Sequence, residues 1–187
     1  MGKLNLIIGP MYSGKSSMLI SRYLRYKIAN KKCIIIKFDR DKRYDDSKIV
    51  THNLISYDAI PCGKLEQVDN IIQDYDVVCI DEVQFYPDSS IFCDKWANQG
   101  KIVEASGLNG DFKRQPFEQI SKLIPLADKI DHLVAVDRES GEDAPFTTRL
   151  SKEKEQIIIG GIECYQAMTR QNHMKFINSD NFLYLER

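Results

Sequence analysis

The chain has 187 residues, 43% of them hydrophobic and 28% charged, with a formal net charge of −1 and a pI near 6.3. That length supports one substantial core with a small appendage, and the near-neutral charge excludes the broad cationic surface of nonspecific nucleic-acid binders, so no nucleic-acid partner is expected. No apolar run is long enough to span a bilayer and no signal-peptide pattern opens the chain, so a cytoplasmic protein without a membrane partner is expected.

Leu4 to Ile8 is an apolar run that reads as a buried strand. It runs into Gly9-Pro10-Met11-Tyr12-Ser13-Gly14-Lys15-Ser16, a phosphate-binding loop, and then into an amphipathic helix from Ser16 to about Ala29. Glycines at 9 and 14 let backbone N–H groups turn inward on phosphates without side chains in the way. Lys15 supplies a point charge, Ser16 a hydroxyl for magnesium, and the helix points its partly positive end at the same anions. A nucleotide binder follows from this one segment.

Further strands are expected at Cys33 to Phe38, Val77 to Ile80, Ile102 to Leu108 and Leu133 to Val136. Helices are expected at about Leu65 to Gln73, at Ser89 to Asn98 ending before Gly100, and at Phe117 to Leu123 after Pro116. This alternation implies an α/β fold, a P-loop-type parallel sheet flanked by helices. Glu104 interrupts an apolar strand and reads as a strand-end charge or one paired across the sheet rather than a catalytic group. The five cysteines, Cys33, Cys62, Cys79, Cys93 and Cys164, lack Cys-x-x-Cys spacing and read as reduced thiols, with Cys33 and Cys79 in the core.

From Asp137 to Glu155 the chain turns polar, closing at Gln156 to Ile159, Gly160-Gly161 and a short helix from Tyr165 to Arg170. Residues 1–136 are therefore expected to form the P-loop core, and residues 137–187 a small lid or lasso lobe whose tail frays.

Val77 to Ile80 ends in Asp81 and Glu82, which brings carboxylates opposite the phosphate loop. Asp81 suits magnesium, and Glu82 suits a general base. Asp81-Glu82-Val83-Gln84 also fits a helicase-like ATPase module acting on nucleic acid. Such motors need a second core to complete the site, however, and a one-core kinase fits this length better.

Six ordered motifs carry a resemblance: Gly9 to Ser16, Asp-Lys-Arg-Tyr at 41 to 44, Thr51-His52, Asp-Glu-Val-Gln-Phe-Tyr-Pro-Asp at 81 to 88, Leu-Asn-Gly-Asp-Phe-Lys-Arg-Gln-Pro-Phe at 108 to 117, and Ile-Gly-Gly-Ile-Glu-Cys-Tyr at 159 to 165. From about Leu4 to Arg170 the chain resembles the type II thymidine kinases of poxviruses and animals. The resemblance implies transfer of the γ-phosphate of ATP to the 5′-hydroxyl of thymidine in DNA-precursor salvage, with Mg2+, by a homotetramer. It implies Glu82 as the catalytic base and Ser16 and Asp81 as the magnesium holders. The nucleotide side would comprise Gly9, Pro10, Met11, Tyr12, Ser13, Gly14, Lys15 and Ser16 with Asp41, Lys42, Arg43, Asp81 and Gln84. The thymidine side would comprise Met11, Phe85, Leu108, Phe112, Phe117, Thr147 and Tyr165, with the backbone of Gln156, Ile157, Ile158, Ile159 and Gly160 reading the base. Aromatic and aliphatic walls suit a flat base and exclude water.

The chain departs from the family at several points. Asn53 and Asn109 stand where relatives often carry aspartate, and one extra residue lies between Tyr44 and Thr51. The family ties its small lobe with a structural zinc held by two Cys-x-x-Cys pairs. The matching positions here are Asp137, Ser140, Thr169 and Asn172, none of them a thiol, so a structural zinc is expected to be absent. A substitute set of Asp137, Cys164 and His173 has irregular spacing.

Overall fold

The structure is a computed structural model, and it describes residues 1–40, 48–50, 56–151, 155 and 163–179. Its centre is a six-stranded sheet built from β1 (Lys3–Gly9), β2 (Cys33–Phe38), β5 (Ile60–Cys62), β6 (Val77–Ile80), β7 (Ile102–Leu108) and β8 (Lys129–His132). The order is β5-β2-β6-β7-β1-β8, and every pairing is parallel. A parallel sheet must be covered on both faces, which is why its central strands are continuous apolar runs rather than alternating ones. A two-stranded antiparallel ribbon of β3 (Lys48–Val50) and β4 (Ser56–Asp58) lies between β2 and β5 in the chain.

The period-two alternation of strand side chains divides the core. In β2, Cys33 and Ile35 point to the face that α1 (Lys15–Ile28) covers with Leu19 and Ile20. Ile34 and Ile36 point to the other face, which carries Trp96 of α2 (Ser89–Asn98) and Ile120 and Leu123 of α3 (Glu118–Leu123). Trp96 is fully buried and donates its indole N–H to Asp69 at 2.8 Å. Gln119 of α3 accepts from the Ser90 N–H at 3.1 Å and donates to the Pro87 carbonyl at 2.7 Å, fastening α3 to the start of α2.

Glu104 lies in the middle of β7 and is 1% exposed. Its carboxylate accepts from Asn5 Nδ2 at 2.6 Å, Tyr26 Oη at 2.8 Å and Arg22 Nη1 at 2.7 Å. Arg22 also reaches Asp131 of β8. The acid thus pins α1 to three strands, which is the structural reading of its charge.

Three elements differ from the sequence expectation. The stretch from Leu65 forms two 3-10 turns, Leu65–Val68 and Ile71–Asp74, rather than one helix. The sixth strand of the sheet is Lys129–His132, an exposed polar edge, while only Leu133 of the more apolar run behind it prolongs the pairing, through its N–H to the Ile8 carbonyl at 2.8 Å. Finally, Tyr165–Met168 is a strand, not a helix, and the helix comes after it.

That last strand belongs to the small lobe. β9 (Ala135–Val136) and β10 (Asp143–Ala144) form one antiparallel pair, and β11 (Phe146–Arg149) and β12 (Tyr165–Met168) another. α4 (Arg170–Asn178) follows, with the Thr169 hydroxyl accepting from the Asn172 N–H at 3.2 Å as its N-cap. Ala135, Ala144 and Ala167 are buried together, and the small side chains let the two ribbons approach closely.

Removing one partner from a buried ion pair leaves the other uncompensated. Glu104→Ala is therefore expected to lower the unfolding free energy by about 3 kcal/mol in urea denaturation at pH 7. A change below about 1 kcal/mol would place this cluster with ordinary surface pairs.

Candidate active site

The phosphate loop leaves β1 at Gly9, where an added Cβ would sit 2.6 Å from the Leu133 carbonyl oxygen and 2.6 Å from Ser13 Oγ. Steric room dictates glycine there. At Gly14 the reason is conformational, since its φ of +82° lies in the left-handed region and α1 begins at the next residue. Inside the loop, Ser13 Oγ donates to the Pro10 carbonyl at 2.9 Å and Lys15 Nζ donates to the same oxygen at 2.6 Å. The Lys15 ammonium is buried against the loop it serves.

Opposite, Asp81 follows the last residue of β6. Its carboxylate accepts from Ser16 Oγ at 3.0 Å and from Ser106 Oγ of β7 at 2.6 Å. The phosphate loop and the strand-end acid therefore meet directly. Glu82 is buried and adopts a left-handed backbone, φ 53° and ψ 45°, a conformation that costs a non-glycine residue on the order of 1 kcal/mol. Gln84 holds it there. The Gln84 amide donates to Glu82 Oε2 at 2.7 Å, while its carbonyl accepts from the Leu108 N–H at 3.1 Å. Gly107 makes room, since an added Cβ would come within 2.6 Å of Gln84 Oε1. Gln84 thus sits between Glu82 and β7.

Two further sets of side chains carry the other expected positions. Phe85 packs between Phe38, at 5.3 Å between ring centroids, and Phe117, at 6.3 Å. Phe117 and Leu108 are also part of the main core, so core packing and wall formation coincide there. On the lobe side, the buried Arg149 guanidinium lies 3.9 Å from the centre of the Phe112 ring and donates to Tyr165 Oη at 2.7 Å and to the Glu155 carbonyl. The lobe also touches the phosphate loop. The Met11 N–H donates to Thr147 Oγ1 at 3.0 Å, and the Tyr12 ring packs on the Ala135, Ala144 and Ala167 cluster.

Of the residues expected in the site, Gly9 to Ser16 meet Asp81 through Ser16, Glu82 and Leu108 meet through Gln84, Phe85 packs on Phe117, Met11 bonds to Thr147, and Phe112 and Tyr165 meet at Arg149. Asp41, Lys42, Arg43 and Gln156 to Gly160 lie outside the described residues. Sequence reasoning missed Ser106, Arg149 and Phe38. The period of two along Phe146-Thr147-Thr148-Arg149 was the available signal, since in a strand it puts Thr147 and Arg149 on one face and Phe146 and Thr148 on the other.

A family model described as thymidine kinase matches residues 2–173. The chain belongs to the thymidine kinase family. It is 45% identical over 170 residues to the thymidine kinase of variola virus, covering 91% of this chain and 96% of that one. Similarity to the vaccinia virus (strain Western Reserve) thymidine kinase has the same extent. Thymidine kinase 1 of Dictyostelium discoideum is 43% identical over 173 residues, which are 90% of this chain and 76% of the relative. Among the described residues no helix is long and apolar enough to cross a membrane.

His173 of α4 supports β11 from behind, sharing a 2.7 Å hydrogen bond between its Nδ1 and Thr148 Oγ1. Burial, reinforced by the Arg114 and Arg170 cations, pushes its pKa down from 6.5 to about 4. On acidification the unfolded chain takes up this proton first. The stability from a neutral His173 is therefore complete above pH 6.5, declines below it and is lost as pH falls through about 4. Thermal unfolding is expected to show a falling midpoint between pH 6.5 and 4.5, and His173→Gln to flatten that slope. A midpoint that stays level over this range in the parent protein would refute the assignment.

Proposed function

We propose that this chain transfers the γ-phosphate of ATP to the 5′-hydroxyl of thymidine. The observation that carries the reading is the junction of Ser16 on the phosphate loop with Asp81 at the end of β6, with Glu82 fixed beside it by Gln84. A phosphate cradle, a metal-type oxygen pair and an oriented carboxylate lie on three consecutive supports, as phosphoryl transfer needs.

Lys15 exchanges the Pro10 carbonyl for phosphate oxygens and neutralises charge on the transferring group. The Ser16 hydroxyl and the Asp81 carboxylate are hard oxygen donors on facing elements, and they suit Mg2+, directly or through water. When bound there, the ion supplies Lewis-acid neutralisation of the phosphate oxygens. Glu82 accepts the proton of the attacking 5′-hydroxyl. Its left-handed backbone turns it away from the strand line, and Gln84 keeps the carboxylate aimed. Asp41, Lys42 and Arg43 would stand beside the phosphates, and Arg43 would add a second cation.

The thymine ring would lie between the Phe85 and Phe117 wall and the Met11, Phe112, Thr147 and Tyr165 wall, with Leu108 at the floor. The backbone of residues 156–160 would read its polar edge. In this division residues 1–136 carry the phosphate chemistry and much of the thymidine wall, and residues 137–187 close over the nucleoside. The family resemblance supports a cytoplasmic homotetramer in nucleotide salvage.

Glu82→Gln preserves an acceptor for the Gln84 amide but cannot take a proton. It is expected to keep ATP affinity within about twofold and lower kcat for thymidine phosphorylation by roughly 10²–10⁴. The check is steady-state kinetics with labelled ATP alongside nucleotide binding by calorimetry. Turnover within a few-fold of the parent would remove Glu82 from the base role.

A further inference from the structure

The small lobe depends on the four positions at which the family resemblance places zinc thiolates. Asp137 is fully buried, and both of its oxygens are occupied. Oδ1 accepts from the N–H groups of Glu139 at 2.9 Å and Ser140 at 3.4 Å. Oδ2 accepts from the Thr169 N–H at 2.7 Å and from Asn172 Nδ2 at 3.0 Å. The other three side chains are committed as well. Ser140 Oγ accepts from the Glu142 N–H at 3.3 Å, and Thr169 Oγ1 from the Asn172 N–H at 3.2 Å. The turn closes on itself through the Asp137 N–H to the Glu142 carbonyl at 2.9 Å and the Gly141 N–H to the Asp137 carbonyl at 2.8 Å.

Zinc does not fit this arrangement. A structural zinc needs four lone-pair donors, commonly thiolates, converging on a cation. Here N–H groups converge instead, and their polarity repels a cation. Of the substitute set, His173 Nδ1 bonds to Thr148 Oγ1 and Cys164 Sγ donates to Glu163 Oε1 at 3.7 Å. Among the described residues no group of three His, Cys, Asp or Glu side chains is arranged to hold a metal ion.

We infer that the Asp137 carboxylate replaces the metal as the clasp of this lobe, an anion gripped by donors from both segments in place of a cation gripped by thiolates. Two of the donors come from the turn after β9 and two from the N-terminus of α4, so one side chain joins segments far apart in sequence. Burial pushes the carboxyl pKa up, but the hydrogen bonds from Thr169, Glu139, Asn172 and Ser140 outweigh it and hold the value down at about 2. The clasp acts on the candidate active site through packed neighbours. It fixes the start of α4, α4 presents His173 to Thr148, and the adjacent Thr147 bonds the Met11 N–H of the phosphate loop. Asp137 is thus a positioning residue for β11.

Metal analysis of the purified protein and melting with and without EDTA test the clasp without any substrate. The expected result is well under one zinc per chain and a melting temperature that EDTA leaves unchanged. Asp137→Asn, which sets an amide N–H against a donor, is expected to lower the melting temperature by roughly 6–12 °C. Should that variant fail to fold, Asn172→Ala decides the matter, with an expected drop of about 2–4 °C from the loss of one donor. About one zinc per chain, melting sensitive to the chelator, or variants that melt like the parent would overturn the inference. A kinetic arm, which rests on the proposed function, separates positioning from bulk stability. At a temperature where Asp137→Asn is folded, KM for thymidine is expected to rise about tenfold while KM for ATP stays within twofold. An unchanged thymidine KM would remove the positioning role.

Discussion

The meeting of Ser16 and Asp81 is the constraint on which the site depends. It requires β1 and β6 to end at the same level, which the parallel sheet provides. It also requires β7 between them to offer a small polar residue, and Ser106 does so by donating to the same carboxylate. One acid at the end of β6 therefore ties the start of α1 to β7. The loop glycines, the left-handed turn at Glu82 and the placement of Gln84 all refer back to that fixed point.

Strain at Glu82 is sustained because the surroundings over-determine it. The 3-10 turn Val83–Phe85 starts directly after it, Val83 is buried, and Gln84 is tied to both Glu82 and Leu108. The same economy appears at Phe117, which belongs at once to the main core and to the aromatic wall.

Much of this was legible in the sequence where the physics is local. Cys33–Phe38, Val77–Ile80, Ser89–Asn98 and Ile102–Leu108 match their expected bounds because strands buried on both faces are largely apolar runs and the helix ends before a glycine. The phosphate loop and the paired acids were legible because their spacing carries the chemistry. Lys129–His132 was not, since an edge strand with three exposed residues in four has no apolar signature. Phe146–Arg149 and Tyr165–Met168 were hidden for another reason. Each pairs with a partner distant in the chain, and Thr147, Thr148 and Arg149 are buried by hydrogen bonds and ring contacts rather than by hydrophobicity. Ser106 and Phe38 gave no local sign at all, because their roles exist only once neighbouring strands are side by side.

The pairing of Arg149 with Tyr165 across β11 and β12 brings both ends of the intervening segment to one point. The frame is thus closed before that segment is considered. Closure entropy grows only logarithmically with the number of residues enclosed. Insertions or deletions between these two ends therefore cost little so long as the ribbon stays paired. The intervening length can drift during evolution while its gatepost, the guanidinium stacked on Phe112, stays put.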